Sequence, residues 1–179
     1  MASVVALHRS VEHGFSKQSV DAVELIAGVG IAGDVHAGAL VQHRSRVRVD
    51  PTQPNLRQVH LIASELFDVL AADGHDVRPG ELGENVTTRG LDVHALAVGT
   101  VLLLGGDALV AVTGLRNPCA QIERFKTGLL GRVAFRGDDG ALVRRAGIMG
   151  VVVRGGTVAV DDPIVAAPPP GPARPLERV

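Results

Sequence analysis

Short runs of apolar and β-branched residues alternate along the chain with glycines and polar turn residues. Runs of this length and composition are typical of strands that bury one face. Two such runs flank Gly155 and Gly156, which predicts a hairpin over residues 151–160 with a primed two-residue turn. The same pattern predicts further strands at residues 2–8, 22–27, 57–62, 84–88, 99–104 and 107–113.

Only two segments favour helix. Residues 64–73 have apolar positions at helical spacing, with Ser64 at the expected N-cap and Gly74 at the expected stop. A second helix is predicted to begin near Asn117 and Pro118. Few helices among many short strands predict a mainly β domain with a few helices, arranged as a barrel or a curled sheet.

Three segments lack a periodic apolar pattern. Residues 40–57 are polar and contain prolines, which predicts a long loop, and residues 137–140 predict a turn. Residues 168–179 are rich in proline and have too few apolar side chains to pack a core. We expect them to form a flexible tail, disordered or extended, that can be removed without loss of stability. Residues 1–167 are then expected to form a single domain.

Composition excludes several classes of function. No apolar run among the 179 residues reaches the length of about eighteen that a membrane span needs, and the N-terminus does not resemble a signal peptide. The single cysteine excludes an intramolecular disulfide and favours a reducing cytoplasm. The net charge of −1 and the absence of Trp and Tyr disfavour nucleic-acid binding. All basic residues except Lys17 and Lys126 are arginine, the side chain that binds phosphate in a bidentate manner.

Gly28, Gly30 and Gly33 match the spacing of a dinucleotide-binding loop, with Asp50 about twenty residues on. That loop needs a helix to open at the third glycine, and the residues that follow carry no helical pattern. Asp34 would also place a negative charge beside the phosphates. We therefore interpret the glycines as a turn between strands.

The segment around Cys119 carries the strongest chemical signal. Asn117 is a preferred N-cap and Pro118 fits the first helical position, which puts Cys119 in the first turn of a helix. The free backbone N–H groups there, together with Arg116, favour a thiolate over a thiol. Such a thiolate can be a nucleophile, a sulfur carrier or a soft metal ligand. The alternative is a small buried hydrophobic side chain, and position alone leaves the two readings open.

Two other candidates are weaker. Glu81 and Glu84 precede a predicted strand, where paired carboxylates serve either acid–base chemistry or the capping of a polar loop. The seven histidines show no zinc-binding spacing. Among them, His36 is the one we place near a ligand, and the alternative is a solvated loop histidine.

Four motifs in order resemble those of MOSC domains, the family named after the C-terminal part of molybdenum-cofactor sulfurases. They are GDVHAG (33–38), RQVHLI (57–62), PGELGENVTTRGLD (79–92) and NPC (117–119), and the resemblance covers residues 1–165. It implies a MOSC-type β-barrel resembling the barrel domain of pyruvate kinase. It also implies that the cysteine ligates molybdenum or carries sulfur. Some small relatives bind molybdopterin and reduce N-hydroxylated bases or amidoximes.

The sequence also departs from the full sulfurases. Their domain that uses pyridoxal phosphate is absent, and neither Lys17 nor Lys126 lies in a matching lysine motif, so pyridoxal phosphate is not expected. The Gly-Asp pair often found near the C-terminal end of MOSC domains is replaced here by Asp161-Asp162.

The leading hypothesis is a cytoplasmic enzyme or carrier that binds the molybdenum cofactor (molybdopterin), with Cys119 as its catalytic and metal-binding residue. The expected cofactor-binding residues are Gly33, Asp34, His36, Arg57, Gly83, Glu84, Asn85, Arg116 and Asn117. The expected partners are this small molecule and a protein that donates electrons or sulfur. Binding to nucleic acid or to a membrane is not expected. The alternatives are a non-catalytic carrier of cofactor or sulfur and a redox-sensing thiol protein.

Overall fold

Strands dominate the computed structural model, which describes residues 1–179. The thirteen strands are β1 (Ser3–Arg9), β2 (Gln18–Val20), β3 (Ala22–Ile26), β4 (Gly30–Ile31), β5 (Val59–Ala63), β6 (Val86–Arg89), β7 (Val101–Leu104), β8 (Ala108–Leu115), β9 (Ala134–Arg136), β10 (Leu142–Arg144), β11 (Ile148–Arg154), β12 (Gly156–Ala159) and β13 (Ile164–Ala167). The helices are α1 (Arg44–Val47), α2 (Glu65–Ala72), α3 (Ala120–Phe125), α4 (Leu129–Val133) and a 3-10 turn (Val93–Ala95). No helix has both the length and the apolar character needed to cross a membrane.

Eight strands form one mixed sheet in the order β13-β7-β8-β11-β5-β6-β1-β2, in which only β5 and β6 pair in parallel. The chain also forms a three-stranded sheet, β12-β3-β4, and the two-stranded ribbon β10-β9. The Val4 amide donates to the Asp162 carbonyl at 2.9 Å, and the Ile164 amide donates to the Ala2 carbonyl at 2.9 Å. The large sheet therefore curls until β1 meets the segment that leads into β13.

Two apolar clusters hold the fold together. The first contains 18 buried residues and lies between the curled sheet and the three-stranded sheet. Alternate residues of β8 point into it, as expected for a strand with one buried face. The second cluster, of 10 buried residues, lies under α2, α3 and α4 and includes Ile122 of α3. It anchors the segment that follows Cys119.

The predicted strands at residues 2–8, 22–27, 57–62, 84–88, 99–104 and 107–113 correspond to β1, β3, β5, β6, β7 and β8. The first predicted helix corresponds to α2, and Gly74 ends it with a φ of 83°. Ser64 does not cap α2 through its side chain, because its backbone is already helical and its hydroxyl accepts a hydrogen bond from Arg89. The 40–57 loop is interrupted by the single turn α1.

The predicted hairpin over residues 151–160 is wrong. β11 pairs with β5 and β8, whereas β12 pairs with β3, so the chain passes from one sheet to the other at Gly155. Neither Gly155 nor Gly156 has the positive φ that a primed turn requires. A Cβ atom at Gly155 would lie 2.6 Å from the Leu25 carbonyl oxygen, so glycine is needed here for a close backbone crossing.

The tail is extended, but it packs against the rest of the chain, contrary to the sequence-based expectation. The Leu115 amide donates to the Glu177 carbonyl at 2.7 Å, and the Val98 amide donates to the Arg174 carbonyl at 3.0 Å. Leu176 packs against the first apolar cluster. In both bonds the tail is the acceptor, and a proline-rich segment keeps its backbone carbonyls although it loses N–H donors, so its composition does not reveal this docking.

Candidate functional site

A cavity of about 250 Å³ lies where the loop after β8 meets loops from the first half of the chain. Seven of the predicted site residues line it: His36, Arg57, Gly83, Asn85, Arg116, Asn117 and Cys119. The other three, Gly33, Asp34 and Glu84, do not. The four short motifs therefore converge on one place in the fold.

Cys119 is half-buried at the start of α3, with its Sγ 3.5 Å from Gln121 Oε1. It is itself the N-cap of a helix of six residues, with φ −137° and ψ 172°, so the predicted placement in the first helical turn is wrong. The Arg116 amide donates to the Gly147 carbonyl at 2.9 Å and continues the β pairing past β8. This keeps residues 116–119 extended and delays the start of the helix by two residues, about half a turn, relative to the prediction.

Guanidinium groups form a cationic wall beside the thiol. Arg46, Arg57 and Arg116 line the cavity, and no aspartate or glutamate does. Arg116 has a buried Nη1 atom without a hydrogen-bond partner. Burial lowers the pKa of Arg57 to about 10, and the neighbouring charges of Arg46 and Arg116 act in the same direction, whereas Cys119 opposes them. The charge and the free N–H groups of these arginines therefore favour binding of an anion in the cavity.

Asp34 lies behind the cavity and orients several of its groups. Its side chain is 1% exposed, and Lys17 Nζ lies 2.6 Å from its Oδ2 atom. Asn85 Nδ2 donates to Oδ2 at 3.1 Å, and the His36 amide donates to Oδ1 at 2.9 Å. Burial acts to raise the pKa of Asp34, but hydrogen bonds from His36 and the charge of Lys17 outweigh it and hold the pKa below its usual value. Asp34 is a positioning residue and not the lining residue that the sequence predicts.

Two histidines of the cavity lining, His36 and His43, stack on each other, and a third, His13, packs behind them. The rings of His36 and His43 lie 4.3 Å apart between centroids, and His13 meets His36 edge-on at 5.6 Å. Burial lowers the pKa of His43 to about 3, with nearby positive charges adding to the effect. His43 therefore contributes a neutral ring at physiological pH.

Glu84 and Gly33 also differ from their predicted roles. Glu84 is fully buried, and its Oε1 atom accepts hydrogen bonds from the Gly80 amide and from the Thr87 hydroxyl. Burial raises its pKa. Gly33 lies in the turn after β4, beside Arg9, with a φ of 71°. Within the rejected dinucleotide motif, Gly28 lies in the turn that joins the antiparallel strands β3 and β4, and Gly30 is the first residue of β4.

Sequence reasoning missed Lys17, His43, Arg46 and His60, all of which line the cavity. Lys17 and Arg46 lie outside the four motifs, and nothing local marks them. His60 is the exception, because it lies inside the 57–62 motif. It is buried, with Nε2 2.8 Å from the Ala146 carbonyl, and burial holds its pKa well below the usual value.

The chain contains no group of three or more His, Cys, Asp or Glu side chains able to hold a metal ion. Cys119 is the only thiol. Within this cavity, a soft metal would find one thiolate, that of Cys119, and the thioether of Met149.

Comparison with known families identifies the class of protein. A family model described as MOSC domain matches residues 33–165, and the chain belongs to this family. The matched segment includes all four motifs and the whole set of predicted site residues.

Particular relatives agree with this assignment. The crystal structure of the YUAD protein from Bacillus subtilis superposes with a TM-score of 0.75 at 22% identity, covering 92% of this chain and 94% of that one. YiiM from Geobacillus stearothermophilus gives 0.65 at 18% identity, covering 98% and 80% of the two chains. YiiM from Escherichia coli gives 0.61 at 19% identity, covering 97% and 73%. These similarities establish the fold: mainly β, with few helices.

A protein named "Reductase" from Gibberella moniliformis is 28% identical to this chain over 125 residues. The match covers 68% of this chain but only 20% of that protein. The chain therefore corresponds to a small part of this relative.

Proposed function

We propose that the chain binds a molybdopterin-type molybdenum cofactor in the cavity beside Cys119 and reduces N-hydroxylated substrates. The observation that carries the proposal is the convergence of the only thiol with Arg57 and Arg116 in a cavity without carboxylates. Molybdenum binds sulfur readily, and a thiolate is the strongest sulfur ligand that a side chain offers. The phosphate of the pterin is the kind of anion that arginines bind in a bidentate manner.

The residues present fit such a group. The buried Nη1 atom of Arg116 lacks a partner, and a phosphate oxygen would satisfy it. Arg57 would share that phosphate, and Cys119 would ligate the metal or hold a transferable sulfur. When bound, the cofactor would supply two-electron oxygen-removal chemistry. Asn85 and the Gly83 backbone would line the remaining wall.

The chain's own polar residues hold this arrangement in place. Asp34 fixes Lys17 and Asn85 by direct hydrogen bonds, so both face the cavity in one orientation. His36 lies between Asp34 and His43 and offers a ring nitrogen at the cavity for proton transfer. Reduction of an N-hydroxyl group consumes two electrons and two protons, so an electron donor is required, and we expect a partner protein to supply the electrons.

Two further expectations belong to this proposal. The hydrogen bonds between β1 and the segment before β13 support a barrel of the MOSC type. The name of the Gibberella relative supports reduction over storage of cofactor or sulfur.

The test is reduction of an amidoxime by cofactor-loaded protein with a chemical electron donor. We expect the wild-type chain to form the amidine and Cys119→Ser to lose at least about 100-fold in rate, as expected when a reaction depends on one ligand. Arg78→Met is the matched control, because Arg78 is exposed and lies outside the cavity. Wild-type protein that holds the cofactor without reducing any N-hydroxylated substrate would instead favour the carrier.

A further inference from the structure

An open cleft of about 380 Å³ adjoins the cavity beside the thiol. Phe15 and Gln121 line both spaces, and Gln121 Oε1 lies 3.5 Å from Cys119 Sγ. The other residues that line the cleft are Ser16, Arg124 and Phe125. We call this space the aromatic cleft. A molecule whose reacting group lies beside the thiol can therefore extend into it.

Two phenylalanine rings form the apolar surface of the aromatic cleft. The ring centroids of Phe15 and Phe125 lie 5.2 Å apart, with 37° between the ring planes. They are two of only four phenylalanines in a chain that has no Trp or Tyr. Phe125 is 37% exposed, so its ring contacts solvent instead of filling the core. Exposed rings beside a cavity favour planar ligands, because aromatic groups stack on one another in offset or edge-on arrangements.

Packing and hydrogen bonds hold the two rings in place. Phe15 packs against the second apolar cluster, and the Ser16 hydroxyl that follows it donates to the Glu81 carbonyl at 2.9 Å. Phe125 lies on α3, which is anchored in the same cluster by the fully buried Ile122. A surface that is already formed loses little conformational freedom on binding, which favours affinity for a small ligand.

Arg124 gives the aromatic cleft a positive charge. It forms no ion pair, and no carboxylate side chain lines the cleft. The arginines of the cationic wall, Arg46, Arg57 and Arg116, lie outside the aromatic cleft. A cofactor phosphate bound to that wall would leave Arg124 free for a second, smaller anionic group.

We propose, building on the proposed function, that the aromatic cleft is the substrate subsite and selects aromatic amidoximes over aliphatic ones. The ring of the substrate lies against Phe15 and Phe125, and its N-hydroxyl group points past Gln121 towards the cavity. A carboxylate on the opposite side of the ring is bound by Arg124. An anionic aromatic amidoxime is therefore preferred over a neutral one.

Binding is tested on the full chain without cofactor. Because the protein has no Trp or Tyr, Phe125→Trp places a single indole in the aromatic cleft as a fluorescent reporter. We expect saturable quenching by benzamidoxime and by para-carboxybenzamidoxime, and no saturable change with acetamidoxime. The anionic compound should bind at least about threefold more tightly than the neutral one, as a partly exposed charge pair allows.

Two further variants control this experiment. Arg124→Met, added to the reporter, should bring the affinities of the two aromatic compounds to within about twofold of each other. Phe135→Trp is the matched reporter, because Phe135 lies on β9 and outside the aromatic cleft. Its fluorescence should show no saturable response to any of the three amidoximes.

Turnover by cofactor-loaded protein is the second readout. Phe125→Leu should raise the KM for benzamidoxime at least about fivefold with little change in kcat, because leucine has no face on which a ring can stack. The kcat/KM for acetamidoxime should change less than about twofold. Phe135→Leu should leave both substrates unaffected.

Equal quenching by aromatic and aliphatic amidoximes, or an unchanged KM for benzamidoxime in Phe125→Leu, would overturn the subsite while leaving the proposed function standing. Equal binding of the charged and neutral aromatic compounds would refute the role of Arg124. Ring-selective quenching in a chain that reduces no amidoxime when loaded with cofactor would instead refute the proposed function and leave the aromatic cleft as a binding site.

Discussion

The Asp34 carboxylate lies behind the cavity and accepts hydrogen bonds from four groups around it. These are Lys17 Nζ, Asn85 Nδ2 and the amides of Ser10 and His36. A buried carboxylate is tolerated when its oxygens are satisfied in this way. The GDVHAG motif thus contributes to the site in two different ways: His36 lines the cavity, and Asp34 holds its neighbours in place.

His8 provides a test of pH-dependent stability at the residue scale. It is fully buried, and neither ring nitrogen has a hydrogen-bond partner. Burial lowers its pKa to about 4, with the charge of Lys17 adding to the effect. Between pH 6.5 and 4, His8 is protonated in the unfolded chain but stays neutral in the folded chain. The free energy of unfolding is therefore unaffected by His8 above pH 6.5 and falls as the pH drops towards 4.

We expect His8→Leu to reduce that loss by roughly 3 kcal/mol, since each unit of pKa shift corresponds to about 1.4 kcal/mol. Urea unfolding of both proteins at pH 8 and pH 4 measures it. The pH 8 comparison isolates the cost of the substitution itself. An identical decrease in both proteins would show that another group causes the acid sensitivity.

At the scale of elements, Gly155 marks the place where β11 passes into β12. A Cβ atom there would lie 2.6 Å from the Leu25 carbonyl, a backbone atom that cannot move without disturbing β3. We expect Gly155→Ala to lower the free energy of unfolding by more than about 2 kcal/mol, as overpacking of this kind does. Chemical denaturation measures the change.

Gly106→Ala is the matched control, because nothing lies within 4 Å of the added Cβ atom and the φ of Gly106 is not positive. Its effect should stay within about 0.5 kcal/mol. Equal effects of the two substitutions would contradict the close crossing at Gly155.

The strands and α2 were predictable because their signals are local. Alternation of buried residues along β8 and the glycine after α2 can be read from neighbouring positions. The partner of β12 was not predictable in this way. Two apolar runs joined by Gly-Gly fit a hairpin equally well, and only the pairing with β3 decides between the two structures.

The same distinction holds for the site. Cys119, Arg57 and Asn85 lie in contiguous motifs and were predicted, whereas Lys17 and Arg46 reach the cavity through long-range contacts. Lys17 is placed by its ion pair with Asp34, 17 residues away. No periodicity or spacing rule reports a pairing of that kind.

At the scale of the whole molecule, the tail is part of the folded structure. Its backbone bonds to Leu115 and Val98, together with the packing of Leu176, should contribute about 2 kcal/mol. Deletion of residues 168–179 should therefore lower the melting temperature by roughly 4–8 °C for a chain of this size. Calorimetry measures it, and an unchanged melting temperature would restore the sequence-based expectation of a dispensable tail.

The central claim is that Cys119 and its cationic cavity retain a molybdenum cofactor, and the most direct measurement is the molybdenum and pterin content of protein from a host that makes the cofactor. We expect roughly one molybdenum and one pterin per chain in the wild type and in Arg78→Met, since one thiol offers one soft ligand. Cys119→Ser should lose most of the molybdenum while its stability changes by about 1 kcal/mol or less. A wild-type chain without molybdenum or pterin, or a Cys119→Ser chain that keeps both, would contradict the claim.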